Sequence, residues 1–156
     1  MKTLLLLLSL VACARVADAK SSEAFRTTGA FFAVSVADMP ASVAWYQNAL
    51  GLDVVMEQSQ GGFAVTVLSG GGLTVELVRI DGARPLLVAA PGVTDPQMIH
   101  GVWKAGFFVH DFDRAIADLR ARGVQIAFGP FPANGNQKAN AIFRDNAGNL
   151  LQVFGD

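Results

Sequence analysis

Three polar side chains interrupt apolar, strand-like runs of this sequence, and their types could do chemistry. Glu76 lies in LTVELVRI, Lys104 begins KAGFFV, and Gln152 lies in NLLQVFG. Because side chains alternate between the two faces of a strand, each of the three falls opposite its immediate apolar neighbours. A carboxylate and an ammonium could form an acid–base pair, and carboxylate and amide oxygens could ligate a metal ion.

Few other residues could ligate a metal or form a covalent link. The chain has two histidines and one cysteine. His100 is expected in a loop, and His110 near a strand end, where a strand rise of about 3.3 Å per residue places it roughly 20 Å from Lys104. We therefore expect neither histidine to join a site at Lys104. A single cysteine, Cys13, excludes an intrachain disulfide.

The composition predicts one folded domain with an apolar core. Hydrophobic residues make up 52% of the 156 residues, and charged residues make up 16%. A chain of this size can bury one sizeable core and is too short for two ordinary domains. The formal net charge is -1, and no block of basic residues interleaves with aromatic ones, so we expect no nucleic-acid partner.

The amino-terminal residues predict an exported protein. Lys2 precedes an apolar run that ends at Cys13, which is typical of a secretory signal and shorter than the roughly 20 residues of a transmembrane helix. A small-residue cleavage pattern ends at Ala19. These features predict a signal peptide over residues 1–19, followed by a linker over 20–28.

A lipid anchor is the alternative interpretation of the same region. Leu10-Val11-Ala12-Cys13 resembles a bacterial lipobox, in which case residues 1–12 are a lipoprotein leader and Cys13 carries the lipid. Both interpretations predict a periplasmic or secreted protein. They differ in whether it is attached to a membrane through Cys13.

One order of elements, strand, helix, strand, strand, strand, comes twice along the chain. In the first copy AFFAVSVADM is a strand, Asp38 caps a helix that ends at Gly51, and LDVVMEQ, FAVTVLS and LTVELVRI follow. The second copy runs through KAGFFVHDFDRAIADLRARGV, VQIAFGPF, ANAIFRD and NLLQVFG, and Asp111 matches Asp38 at an offset of 73. This repeat predicts a domain over residues 29–156 with modules at about 29–80 and 102–156.

The repeat and three stretches of sequence resemble the vicinal oxygen chelate (VOC) superfamily, which includes glyoxalase I, bleomycin resistance proteins and extradiol dioxygenases. The stretches are VADMPASVAWYQNALGL, VHDFDRAIADLRARGV and FRDNAGNLLQVF. The resemblance implies an α+β fold in which two βαβββ modules pair into a curved, cleft-forming mixed sheet with the helices outside. It is specific for the fold and discriminates poorly between activities.

The resemblance also implies four metal-ligand positions, which fall on Phe31, Glu76, Lys104 and Gln152. A phenyl ring cannot ligate, and an ammonium repels a divalent cation, so only the oxygen donors of Glu76 and Gln152 remain. We predict no cofactor, with a divalent metal on these two donors left open. In place of the metal we expect the ammonium of Lys104 beside Glu76, with Gln152 completing the hydrogen bonds of the pair.

These residues predict a ligand cleft formed by Phe31, Glu76, Lys104, Phe108 and Gln152. The bleomycin resistance branch implies that such a cleft can bind a small organic molecule without metal chemistry, and an apolar wall with few polar groups is typical of a ligand pocket. The alternative is a lyase, isomerase or dioxygenase of the VOC type with an altered metal set or a Lys/Glu acid–base pair. A scaffold that keeps only the fold is the third hypothesis, and a homodimer is left open.

Three aromatic residues beside these positions are predicted to pack in the core. Trp45 and Tyr46 lie on the first helix, where packing is commoner than ligand contact. Trp103 precedes Lys104 and should, by alternation along the strand, point to the opposite face. We expect none of the three to contact a ligand.

Overall fold

Two copies of a βαβββ unit make up the part of the chain that the structure, a computed structural model, describes, which is residues 29–94 and 100–156. The predicted signal peptide, lipobox and linker lie outside the described residues. No helix in the described ranges is long and apolar enough to cross a membrane. The elements are β1 (Phe31–Ser35), α1 (Met39–Leu50), β2 (Asp53–Gln60), β3 (Phe63–Gly70), β4 (Leu73–Ile80), α2 (Leu86–Ala89), β5 (Ala105–Val109), α3 (Phe112–Ala121), β6 (Ile126–Phe131), β7 (Asn140–Arg144) and β8 (Leu150–Gly155).

Each module folds into an open, four-stranded mixed sheet. The first sheet has the order β1-β4-β3-β2, with β1 parallel to β4 and the other neighbours antiparallel. The second sheet repeats this pattern as β5-β8-β7-β6. The predicted α+β class and the two βαβββ modules are confirmed. Among the described strands, no hydrogen-bonded ladder joins one sheet to the other.

Both module helices begin where the sequence predicts. The side chain of Asp38 accepts a hydrogen bond from the backbone N–H of Ala41 at 3.0 Å, and Asp111 accepts one from Arg114 at 3.0 Å. These caps satisfy backbone donors that the first helical turn leaves without partners. α1 ends at Gly51, whose φ of 68° is a left-handed conformation that glycine adopts without strain.

The helix-facing sides of both sheets contribute to a single apolar core. Val75 and Leu77 of β4 are fully buried, and so are Phe143 of β7 and Val153 of β8. The two module helices add buried side chains to the same cluster. Burying a large apolar side chain contributes about 1.5–3 kcal/mol, so this shared core holds the two modules together.

The helix α1 contacts the second module as well as its own sheet. The ring of Trp45 lies 6.4 Å from the ring of Phe143, centroid to centroid, with an interplanar angle of 27°. The hydroxyl of Tyr46 donates to Asp145 at 2.9 Å, and Asn146 donates to Ser42 at 3.1 Å. Because Phe143 belongs to the helix-facing side of its sheet, α1 lies between the helix-facing sides of both sheets.

Each sheet therefore has a second face that points away from the shared core. In the first sheet this face carries Ala33, Glu76 and Val67, which are partners across β1, β4 and β3. We call it the first outer face. In the second sheet it carries Gly106, Gln152 and Ile142, which are partners across β5, β8 and β7, and we call it the second outer face.

Candidate functional site

The first outer face is an apolar surface with Glu76 near its centre. Glu76 is half-buried on β4 and lies between Ala33 and Val67 in the sheet register. Phe31 lies on the same face and is 64% exposed. Other exposed large apolar side chains of this face are Met56, Phe63 and Ile80. A contiguous apolar surface of this kind is commonly an interaction or ligand site.

The second outer face combines aromatic rings with a buried amide pair. Gln152 is 7% exposed and Asn140 is 4% exposed, and the side-chain N–H of Gln152 donates to the side-chain oxygen of Asn140 at 2.9 Å. Phe108 is 67% exposed, with its ring 5.5 Å from the ring of Phe154. The ammonium of Lys138 lies 5.4 Å from the centroid of Phe108, within the range of a cation–π contact.

The predicted pairing of Lys104 with Glu76 is wrong for this chain. The ammonium of Lys104 lies 4.5 Å from the ring centroid of Trp103. Within residues 29–94 and 100–156, the salt bridges are Arg79 with Asp81 and His110 with Asp156. The physical reason is that Glu76 lies on the outer face of the first sheet, whereas Lys104 precedes β5 and lines a cavity between the modules, which alternation along single strands could not show.

The core prediction for aromatic residues is right on α1 and wrong before β5. Tyr46 is fully buried, and Trp45 packs against the core. Trp103 is 49% exposed because it precedes β5 and has no strand partner, so the alternation of a strand does not apply to it. It lines a cavity described below.

The four positions implied for metal ligands do not supply a suitable donor set. Phe31 has no lone pair, and Lys104 carries a cation already placed over an aromatic ring. The amide of Gln152 is hydrogen-bonded to Asn140, and Glu76 lies on the other sheet. In the described residues, no group of three or more His, Cys, Asp or Glu side chains lies close enough to hold a metal ion. Zinc in particular prefers four ligands rich in nitrogen or sulfur.

A buried tyrosine–carboxylate pair joins the modules. Asp145, 5% exposed, accepts hydrogen bonds from the Tyr46 hydroxyl, from the backbone N–H groups of Ala147 and Asn149, and from the Asn149 side chain. Burial raises the pKa of Tyr46 well above its usual range, and the charge of Asp145 and the hydrogen bond to it raise it further. Sequence reasoning missed this pair because its members are 99 residues apart and carry no local pattern.

A cavity of about 860 Å³ lies where the two modules meet. Its walls come from β1, from residues 83–87 and 100–105, and from the turn that leads into β8. Of the five residues predicted for the cleft, only Lys104 lines it. Arg84 and Arg144 also line it, and neither was singled out from the sequence, because only the fold brings them together with Lys104.

The five predicted cleft residues are thus distributed over three places. Phe31 and Glu76 lie on the first outer face, and Phe108 and Gln152 lie on the second outer face. Lys104 lines the cavity. The residues on each face are neighbours, and the two groups belong to different sheets.

Comparison with known proteins assigns the chain to a family. The sequence model of the glyoxalase/bleomycin resistance protein/dioxygenase superfamily matches residues 30–153. No curated protein matches the sequence. A glyoxalase family protein from Enterococcus faecalis has a similar structure, with a TM-score of 0.64, 21% identity, and coverage of 83% of this chain and 98% of that one.

Two further solved structures have the same fold. A glyoxylase/bleomycin resistance protein/dioxygenase domain from Frankia sp. EAN1pec gives a TM-score of 0.61 at 21% identity, covering 83% of this chain and 91% of that one. TnmS3, an antibiotic binding protein from Streptomyces sp. CB03234, gives 0.57 at 23% identity, covering 83% and 95%. The family match spans nearly the whole described domain, and the chain belongs to the glyoxalase/bleomycin resistance protein/dioxygenase superfamily.

Proposed function

We propose that this protein binds a small organic molecule on its outer faces and does so without a divalent metal. The observation that carries the proposal is the exposure of large aromatic side chains around a few polar groups. Phe31 and Phe108 are 64% and 67% exposed, each on the same face as a polar residue, Glu76 and Gln152 respectively. Apolar walls with a small number of polar groups are typical of ligand sites.

The metal-free character of the site rests on the chemistry of its donors. Phe31 and Lys104 occupy two of the four positions implied for ligands, and Glu76 and Gln152 lie on different sheets. The antibiotic binding protein TnmS3 has the same fold, and this similarity supports the proposal of a binding role. The acid–base alternative has less support because Lys104 and Glu76 are not paired in this chain.

A second copy of the chain would complete the ligand site. Each outer face is one open surface, and a pocket that encloses a ligand needs a second surface opposite it. If the first outer face of one copy lay over the second outer face of another, Phe31 and Glu76 would face the partner's Phe108 and Gln152. Burial of the exposed aromatic rings would then stabilise the homodimer through the hydrophobic effect.

Export is part of the proposal, and its support comes only from the sequence of residues 1–19. Cleavage after Ala19 would give a soluble periplasmic or secreted protein, and processing at Cys13 would give a lipid-anchored one. The mass of the protein purified from a bacterial host separates the two outcomes. Full-length cytoplasmic protein with residues 1–19 intact would contradict export.

A thermal-shift screen of small aromatic molecules tests the binding role, with Kd values measured for the hits. We expect Phe31→Ala and Phe108→Ala each to weaken binding by about tenfold or more, because each removes an aromatic contact. Val88→Ala is the control, because Val88 is 59% exposed and belongs to α2, not to a strand of either sheet. Equal binding by all three variants would contradict the proposed site.

The oligomeric state tests the assembly separately. We expect light scattering to show a dimer at micromolar concentration, and Phe108→Asp to shift it toward monomer because a charge on that face opposes burial. A monomeric wild type that binds ligands with full affinity would contradict the assembly while leaving the binding role in place.

A further inference from the structure

The cavity between the modules combines positive charge with apolar walls. It is lined by Lys104, Arg84 and Arg144, and the lining residues that the structure describes include no carboxylate. Apolar lining comes from β1, from Leu86 and from Trp103, among others. Its volume of about 860 Å³ lies within the range of roughly 300–1,000 Å³ that holds a drug-sized ligand.

The sheet register sets the spacing of two of these cations. Arg144 pairs with Leu150 across β7 and β8, and Ala105 pairs with Leu151 across β5 and β8. Lys104 immediately precedes β5, and β8 lies between β5 and β7 in the sheet order. The start of β5 and the end of β7 are therefore two strand spacings apart, about 10 Å, which brings Lys104 and Arg144 to opposite sides of the start of β8. Two long side chains at that separation can converge on one anionic group.

Neither of these two cations is neutralised by a carboxylate in the described part of the chain. The ammonium of Lys104 rests over Trp103, a contact that leaves its charge in place. One N–H of the Arg144 guanidinium donates to the backbone carbonyl of Gly148 at 3.0 Å, which orients the group without compensating its charge. Asp145, next to Arg144, is buried and accepts hydrogen bonds from Tyr46 and Asn149.

Trp103 adds an aromatic surface at the same place. It is 49% exposed, and Leu86, Leu87 and Val102 of the same lining are also exposed, so the cavity offers a larger apolar surface than one ring. A flat ring could stack on the indole while an acidic group attached to it reached Lys104 and Arg144.

We propose that this cavity is a second binding site, which takes a small organic anion with a flat apolar body, such as an aromatic carboxylate or sulfonate. None of the outer-face residues Phe31, Glu76, Phe108 and Gln152 lines this cavity, and the site does not depend on assembly of two copies. Lys104 and Arg144 hold the anionic group, and Trp103 and the apolar wall hold the body.

Two probes of the same shape and different charge test this inference. The anion is 8-anilino-1-naphthalenesulfonate, and its neutral counterpart is N-phenyl-1-naphthylamine, both followed by fluorescence titration of the purified protein. We expect Lys104→Met and Arg144→Gln each to weaken binding of the sulfonate by about tenfold, the size of one lost charge-assisted hydrogen bond. Binding of the neutral probe should change less than twofold.

Three further variants make the outcome decisive. Arg144→Lys keeps the charge and should keep sulfonate binding, which separates charge from any effect on the turn. Arg120→Gln removes an equal charge from the exposed side of α3 and should change nothing. Phe108→Ala removes a ring from the second outer face and reports whether either probe also binds there.

Three results would overturn the inference: no saturable binding of the sulfonate, equal losses of affinity for the charged and the neutral probe in Lys104→Met and Arg144→Gln, or a loss of sulfonate affinity in Arg120→Gln as large as that in Arg144→Gln. If Phe108→Ala weakened both probes while Lys104→Met and Arg144→Gln had no effect, the probes would occupy the outer face. In that case the second site would be excluded and the proposed function would stand.

Discussion

The two module helices occupy equivalent places in a repeated fold and differ in what covers them. α1 has no charged side chain, whereas α3 carries Asp113, Arg114, Asp118 and Arg120. The contacts of the two helices differ: α1 packs on its own sheet and also contacts Phe143 and Asp145 of the second module, whereas the exposed side of α3 is mostly charged. In the repeat, α1 is thus the helix that connects the two modules.

The outer faces diverge in the same way. Both carry aromatic rings, but Glu76 of the first corresponds to Gln152 of the second, and Phe31 corresponds to Lys104. The side of each sheet that faces the helices is apolar because it packs in one core, whereas the outer faces carry polar residues such as Glu76 and Gln152. The fold therefore repeats, and the chemistry of its two halves does not.

The largest expected effect contrasts the two sides of one sheet. Phe143→Ala should reduce the free energy of unfolding by about 3–5 kcal/mol, because a fully buried ring that packs against α1 is replaced by a cavity. Phe128→Ala, on the outer face of the neighbouring strand, should cost less than about 1 kcal/mol. Chemical denaturation measures both, and equal costs would contradict the assignment of a helix-facing core and an outer face.

The bridge between modules gives the second prediction. Tyr46→Phe should cost about 1.5–3 kcal/mol, since it removes a hydrogen bond to the buried carboxylate of Asp145. The same residue lies at the position of Leu119 in the repeat, where the second helix needs no polar group. If chemical denaturation gave Tyr46→Phe the same stability as the wild type, the stabilising role of the Tyr46–Asp145 hydrogen bond would be contradicted.

The pH dependence of stability gives a second test of the Tyr46–Asp145 pair. The folded-state pKa of Tyr46 is raised above the ordinary value of about 10. Its contribution is therefore fully present below pH 10, and it falls as the pH rises above 10, because the folded protein retains a proton that the unfolded chain releases. Wild type should lose stability more steeply than Tyr46→Phe above pH 10. Parallel melting curves for the two proteins would contradict the raised pKa.

The smallest expected effect concerns the aspartate caps of α1 and α3, which the two modules share. Asp38→Ala and Asp111→Ala should each cost about 1 kcal/mol, because each removes the hydrogen bond that caps its helix. Similar costs in denaturation experiments would show that capping is preserved between modules. A cost at only one of the two positions would show that the helices depend on their caps differently.

Local patterns in the sequence predict most of the fold. Period-two alternation places Val75, Leu77 and Val153 toward the core, and Asp38 and Asp111 mark the helix starts, because these features depend on neighbouring residues alone. The offset of 73 between Asp38 and Asp111 predicts the second module from the first.

The arrangement of the modules could not be predicted in the same way. Alternation shows which face of a strand Glu76 or Gln152 occupies, and it does not show which face of the other sheet lies opposite. The contacts of α1 with Phe143 and Asp145 decide that, and they join residues about a hundred positions apart. Trp103 and Lys104 were misplaced for a related reason, since they precede the strand on whose alternation their prediction rested.

Metal dependence of the melting temperature tests the central claim most directly, that the outer faces bind an organic molecule and hold no divalent cation. Purified protein would be treated with a chelator and melted with zinc, nickel, manganese or iron, and with organic ligands from the screen. We predict a shift with organic ligands that Phe31→Ala and Phe108→Ala reduce, and none that depends on a metal. A stoichiometric metal whose stabilising effect is lost in both Glu76→Gln and Gln152→Ala would contradict the account.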